Sequence, residues 1–507
     1  MTGKAIDGST ITGGGMSGNA VTGLSALLAR SGGTASAIHA VPLALISFYL
    51  MFAPVWAPRL TSRDYDDARY MQLGLLAVMV VFLALPRIRD GVLTAWSDLG
   101  RRVQTMWVVF LVGGIASAVF SESPNLAALE LGLVTQLAFL TLLICALVRQ
   151  NGISADKSLA VAVCAGAALI CVQFWLMQAI SIFEGRRFSW VHPFLEFANV
   201  RFFSQYQSYV LFLLPLPMLL LRLSWKWKAV LYVVAANFWA LQWMVGTRAV
   251  WIGFAAAMLA VCAMTRSGRV AFVRTHLLLV LAGGIVFAGY LGATANTGDV
   301  TRIPQKLSVM KRGSDSVNQR VLLAREAVGA IVENPLTGVG PGQFGLMKYP
   351  LRGAHPHNAP LQLMSEYGLV AGAAGIVLGL TLLIFALKSM RAAEANGQDV
   401  ITVSLAAALV VGLVESFFSG GIIMPHAQMM LCIVAGWLLG RRLTTGDQSA
   451  GSEGGSQMRL ALTLSVVVAA LVTTLISFEY WSVVKDMPLS AQRWHPHFWQ
   501  YGRFSDW

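Results

Sequence analysis

Arginine and histidine carry most of the chemistry this chain offers. Arg248 stands in Val245-Gly246-Thr247-Arg248-Ala249, between two apolar segments with almost no loop. A guanidinium there lies at the edge of a low-dielectric region, where its bidentate hold on phosphate oxygens is strengthened. Arg320 lies on a polar stretch one turn before Ala324, and Arg201 precedes Phe202, Phe203, Ser204, Gln205 and Gln207. Several fixed guanidiniums are what a diphosphate leaving group needs when no metal neutralises it. No Asp/Glu cluster near them resembles the paired carboxylates that hold Mg²⁺ or Mn²⁺, so neither metal nor cofactor is expected. His355-Pro356-His357-Asn358 adds two imidazoles where a polar loop enters an apolar segment. His357 is the general-base candidate, because imidazole titrates near neutral pH and can take a proton from a hydroxyl. His355 competes with it, as does His495-Pro496-His497 in an aromatic C-terminal tail. Asn358 and Glu366 are placed to orient groups nearby, and a carboxylate on a membrane segment is a functional candidate by default.

These residues depend on the stretch 295–368, the one long polar interruption in an apolar second half. Long loops in compact proteins are often functional. Between 317 and 333, apolar residues fall at Val321, Ala324, Val328 and Ile331, with Leu322 and Val332 beside them, which is helical spacing. Asn334-Pro335 ends the run, because the residue before proline resists the α region. Gly338, Gly340, Gly342 and Gly345 then predict a flexible turn. The expectation is a basic amphipathic helix on a membrane surface, followed by a loop that delivers two histidines to the membrane boundary.

Of the 507 residues, 56% are hydrophobic and only 12% charged, and mean hydropathy is +0.65. That composition describes an all-α polytopic membrane protein, since crossing the hydrocarbon takes about 20 helical residues. The net charge of +13 suits anionic lipid head groups or a phosphorylated substrate. Nucleic acid is excluded as a partner, because no soluble domain is present to hold it. The five cysteines all sit inside apolar runs with no pairing or ligand spacing, and read as small core or lipid-facing residues.

Residues 1–37 are rich in Gly, Ser and Thr and predict a mobile tail, with a short helix around 21–29. Apolar spans follow at roughly 39–58, 69–86, 104–120, 125–148, 158–182, 205–222, 228–245, 249–265, 276–294, 359–387, 399–418, 422–440 and 459–479. The resulting division is a tail at 1–37, nine spans within 38–294, and a loop with the candidate chemistry at 295–358. Three spans at 359–440, a linker at 441–458, and a last span with its tail at 459–507 complete it. Lys and Arg crowd every second short loop: Arg87, Arg89, Arg101 and Arg102; Arg149 and Lys157; Arg222, Lys226 and Lys228; Arg266, Arg269 and Arg274; Lys388 and Arg391; Arg441 and Arg442. The loops at 120–124 and 418–421 have none. By the positive-inside bias the basic set is cytoplasmic, so the N-terminus is cytoplasmic and the odd number of spans puts the C-terminus outside. Arg59, Arg63 and Arg69 fall in an outer loop, partly offset by Asp64, Asp66 and Asp67. The exceptions to the bias gather on that outer face: Arg186, Arg187 and Arg201, then Arg248, then the 295–358 loop. A single such arginine is explained by snorkelling at a helix end; all of them on one face favour an anionic ligand held there.

The ordered set of motifs resembles the O-antigen ligase/polymerase superfamily. Pro356-His357-Asn358 with Leu361, Leu363, Glu366, Gly368 and Gly372 is similar to its His-Asn…Glu-x-Gly-x-x-x-Gly signature. Asn334-Pro335-Leu336-Thr337-Gly338-Val339-Gly340…Phe344 matches its Pro-Leu-x-Gly-x-Gly…Phe element, and Gly246-Thr247-Arg248 its Ser/Thr-Arg element. Arg320 stands where the family's loop helix has its arginine. The likeness covers roughly residues 200–440. It implies a GT-C type, metal- and nucleotide-independent inverting glycosyltransferase of about 12–13 spans in the bacterial inner membrane. Such an enzyme takes a glycan from undecaprenyl diphosphate on the periplasmic face. By carry-over, His357 would activate the acceptor hydroxyl, and Arg248 and Arg320 would bind the diphosphate. Arg201 would assist them, and His355 could share the work of the base. Ligases of this family usually have twelve spans, and relatives that glycosylate pilin often carry an extra C-terminal one. Lipid A–core oligosaccharide is therefore the first acceptor expected, protein Ser/Thr the second, and a growing repeat-unit chain the third. A glycan-lipid flippase is the competing class. It predicts mid-membrane charges, interrupted helices and paired repeats; no repeat is visible.

Overall fold

The computed structural model describes residues 34–60, 64–190, 193–197, 199–266, 268–294, 315–346, 355–395, 399–443 and 456–484. Every regular element among them is helical. The long ones are α1 (Thr34–Phe52), α2 (Asp64–Val81), α3 (Pro86–Asp98), α4 (Gly100–Val119), α5 (Pro124–Asn151) and α6 (Ile153–Phe183). After α7 (Val200–Val210) and the short α8 (Leu216–Leu220) come α9 (Trp225–Val245), α10 (Arg248–Met264), α11 (Arg269–Ala293) and α12 (Asp315–Glu333). The chain closes with α13 (Ala359–Ala395), α14 (Val400–Ser416), α15 (Pro425–Leu443) and α16 (Ser456–Val484). Eight of the helices are long and apolar enough to cross a membrane, with α1, α10 and α14 as shorter apolar helices. The protein is an all-α polytopic membrane protein. Helices dominate because a chain in hydrocarbon must satisfy its own backbone hydrogen bonds.

Helix α5 is the hub. It is buried along most of its length and packs against α15, α16, α3 and α4. Its contact with α15 runs through Gly436 and Gly440, one turn apart. A Cβ at Gly436 would lie 2.4 Å from the Thr141 carbonyl, and one at Gly440 would lie 2.7 Å from Val148 Cβ. Small residues at this spacing let two helices approach closely where dispersion, not water, drives association. At the end of the bundle remote from the histidine segment, Arg441 pairs with Asp156 and, at 2.7 Å, with Asp399. Trp437 donates to Asp156 at 2.6 Å. That clamp ties α6, α14 and α15 together.

Several elements differ from the sequence expectation. Span 205–222 is not one helix: α7 and α8 are separated by turns at 211–215, and Pro215 at their end and Pro217 at the start of α8 cannot donate ladder hydrogen bonds. Helix α13 contains a break at Gly368 (φ 75°, ψ 174°). The basic segment 87–102 is helical, not a simple loop. Arg69 belongs to α2 and is fully buried rather than lying in an outer loop, and Asp66 and Asp67 are buried with it. The expected helix at 21–29, the loop basic residues Arg302, Lys306, Lys311, Arg312, Lys348 and Arg352, and the tail histidines lie outside the described residues.

Candidate active site

The loop helix α12 forms as its spacing predicts, but its inward face is Leu323, Ala327 and Ala330 rather than the valines. Leu323 and Ala327 pack on Phe344 and Leu361, leaving Val321, Val328 and Val332 exposed. The alanines allow close approach, and this places Arg320, one turn earlier, beside the start of α13.

The glycine segment that follows is pinned, not flexible. At Gly368 the helical ladder of α13 stops, freeing the carbonyls of Ser365 and Glu366. Val339 N–H donates to Ser365 O at 2.9 Å and Gly340 N–H to Glu366 O at 3.0 Å. Leu369 N–H donates to Pro335 O at 2.8 Å. The break is thus filled by the preceding loop, so the backbone groups it releases stay satisfied. The fit needs bare backbone. A Cβ on Gly368 would stand 2.2 Å from Leu336 O, and one on Gly338 would stand 2.5 Å from Glu366 O. Glu366 is buried, and its Oε2 accepts from Gly342 N–H at 3.2 Å. Ser117 donates to the Glu366 carbonyl at 2.7 Å. Glu366 therefore holds the loop against α13 and lies inside the scaffold.

The histidine segment lies between this dock and the loop after α14. Asn358 Oδ1 accepts from Leu361 N–H at 3.0 Å, which caps the start of α13. Its Nδ2 donates to Phe417 O at 3.1 Å. His357 is half-buried and is the one non-glycine residue with positive φ (55°) among those described. His355 is buried, and its ring is 4.1 Å centroid to centroid from that of His357.

The expected arginines gather with His357. Arg201 sits in the first turn of α7, whose Asn199 cap accepts from Arg201 N–H at 2.9 Å. Arg248 opens α10, and the hydroxyls of Ser204 and Thr247 meet at 2.8 Å, tying these two helix starts together. Partial loss of hydration first, then the charges of Arg201 and Arg248, push the Arg320 guanidinium below its ordinary range, although the residue keeps much of its surface exposed. Burial first, then Arg320 and Arg201, hold His357 down at about 4. Arg201 and Arg320 are thus within electrostatic reach of His357, and Arg201 and Arg248 within reach of Arg320, with all three arginine residues exposed. The N-termini of α7 and α10 add partial positive charge to the same region. Such a cluster of positive charge attracts a multivalent anion, beside an imidazole that is neutral at pH 7 and can accept a proton. Among the described residues no three His, Cys, Asp or Glu side chains gather to hold a metal ion.

Sequence reasoning missed Arg69. Its guanidinium donates to Gln72 at 2.5 Å, Gln428 at 2.7 Å and Ile423 O at 2.8 Å, anchoring the loop that faces the histidines. The available signal was an arginine at the mouth of an apolar span next to two aspartates. Arg186 pairs with neighbouring Glu184 at 3.2 Å and is largely exposed, which accounts for one of the outer-face basic residues locally.

No curated protein matches the chain at a meaningful level. Residues 233–376 match a protein family described as O-antigen ligase. The matched stretch contains Arg248, Arg320, His355, His357, Asn358 and Glu366, together with the loop docked at Gly368. Arg201 precedes it. That match spans 144 of the 507 residues and lies across the arginine–histidine cluster of an all-helical membrane scaffold, so over this stretch the chain is similar to the O-antigen ligase family.

Proposed function

We propose that this protein is an O-antigen ligase-type glycosyltransferase of the bacterial inner membrane, with its site on the periplasmic face. It moves a glycan from undecaprenyl diphosphate to an acceptor hydroxyl, lipid A–core oligosaccharide first among acceptors. The observation that carries this reading is that Arg201 and Arg320 lie within electrostatic reach of His357, and Arg248 within reach of Arg320, from four separate stretches of chain. The guanidiniums bind the diphosphate and stabilise the charge that grows on it as the glycosidic bond breaks. His357 accepts the proton of the acceptor hydroxyl as its oxygen attacks the anomeric carbon from the opposite side, inverting the configuration. The diphosphate leaves on the lipid carrier. Donor binding also sets the base: bound phosphate offsets the arginine charges that depress His357, so its proton affinity rises when the substrate is present.

The helix breaks at 211–215 and Gly368 are features a flippase would also show. The second is filled by residues 335–340, which leaves it a seat for the loop rather than a passage. The discriminating experiment supplies purified protein with labelled glycan on its lipid diphosphate, with chelator and without nucleotide. Glycan transfer to acceptor supports the enzyme. Movement of intact carrier between leaflets without transfer supports the flippase.

A further inference from the structure

We infer that His355 is the positioning residue for His357, and not a second base. This rests on the transfer reading given above and adds to it which of the two imidazoles does the chemistry and what the other contributes. Three features carry it. His357 N–H donates to His355 Nδ1 at 3.2 Å, so that ring nitrogen is an acceptor and its lone pair is engaged by the backbone. His357 holds φ at 55°, a conformation that is strained for a non-glycine residue and persists only where neighbours impose it. The His355 ring is buried against Gly420: a Cβ built there would lie 2.4 Å from His355 Cε1 and 2.7 Å from Nε2.

The histidine pair is therefore built in layers. Arg69 holds the Ile423 carbonyl and Gln428, fixing the loop from Ser416 to Pro425. Gly420 in that loop leaves room for the His355 ring, and His355 Nδ1 then holds the His357 amide in its left-handed turn. The turn presents His357, half-buried, beside Arg201 and Arg320. Phe417 O, in the same loop, takes the Asn358 side chain at 3.1 Å, so both residues flanking His357 in space are tied to one support. A histidine whose Nδ1 accepts a backbone hydrogen bond and whose ring edge abuts a glycine backbone is poorly placed to take a proton from an incoming alcohol.

The test compares His355→Ala, His355→Asn and Gly420→Ala in the purified full-length protein, with transfer followed over donor concentration and pH. His355→Ala should lower kcat about a hundredfold, since displacing a catalytic group by about 1 Å costs that much, while leaving the donor KM within a few-fold. His355→Asn keeps an acceptor oxygen near the Nδ1 position. It should recover at least tenfold over alanine with the wild-type acidic limb of the pH profile. Gly420→Ala, which touches no substrate group, should reproduce the alanine loss by displacing the ring. Full transfer in His355→Ala overturns the inference. So does a His355→Asn variant as dead as His355→Ala while His357→Ala still transfers, because that pattern makes His355 the base. Absence of transfer in the wild-type protein would instead count against the function proposed above.

Discussion

At the level of single residues, each charged group has a separable task in the proposed transfer. His357→Ala removes the only proton acceptor assigned to the acceptor alcohol, so transfer should fall by about 10²–10⁴-fold with protein abundance near normal. On the proposed reading, Arg248→Ala and Arg320→Ala would each delete one charge-assisted contact to phosphate. About 1.5–3 kcal/mol is lost per contact, a roughly ten- to hundredfold drop in donor kcat/KM. Arg320→Lys keeps the charge but not the bidentate fork, and should rescue only in part. Arg320→Gln tests the electrostatics. His357 is held at about 4 by burial and by Arg320 and Arg201. Removing one cation makes the imidazolium less unfavourable and raises its pKa, so the acidic limb of kcat/KM should move to higher pH. A limb that stays put, or moves lower, would show that Arg320 does not face His357. Arg248 and His357 stand out in the sequence because each sits where a polar segment meets an apolar one, and Arg320 because it lies on the helical part of the polar loop. The split of roles between His355 and His357 was not, since it rests on a ring nitrogen meeting a backbone amide and on Gly420 from another helix end. Arg69 likewise looked like a loop charge, because its partners Ile423 and Gln428 lie some 350 positions away.

The elements show how a broken helix can hold a site. Helix α13 stops at Gly368 and the loop 335–340 supplies the missing partners. Gly368→Ala combines a strained positive φ with a methyl 2.2 Å from Leu336 O. It should cost about 1–3 kcal/mol of loop docking. Limited proteolysis within 335–346 should become faster than in the wild-type protein, and unchanged cleavage would show that the dock does not govern the loop. Helix α12 illustrates the limit of pattern reading. Its existence and its end at Asn334-Pro335 followed from spacing and proline, yet the buried side is the one with alanines. Phe344 and Leu361 need small neighbours, and the valines are left facing outward. The glycines predict a flexible turn because their backbone freedom is visible in the sequence, whereas the carbonyls that fix them are visible only in three dimensions.

For the whole molecule, the arginine–histidine end and the Arg441 clamp are physically separate, and they should respond separately. Asp156 is 1% exposed and takes both Arg441 and Trp437. Arg441→Ala would leave that carboxylate buried without its cation, a loss of about 3–5 kcal/mol. The variant should unfold at a clearly lower temperature in detergent, while the protein that remains folded keeps its transfer rate; loss of rate without loss of stability would tie the clamp to the chemistry. Chelation by EDTA should leave the transfer rate unchanged, and inhibition reversed by a divalent ion would put a metal where guanidiniums are assigned. Run length and composition made the membrane architecture readable, because hydrocarbon imposes helices about 20 residues long. The breaks inside two apolar runs were hidden, since hydropathy averages over them.

The central claim separates binding from chemistry, and steady-state kinetics over donor concentration tests it most directly. In one experiment the purified wild-type protein, Arg248→Ala, Arg320→Ala and His357→Ala are compared for glycan transfer and for retention of the lipid diphosphate donor. Weakened donor use is expected in both arginine variants, and retained donor with lost turnover in His357→Ala. Wild-type transfer by His357→Ala, or undiminished donor use in both arginine variants, would contradict the claim.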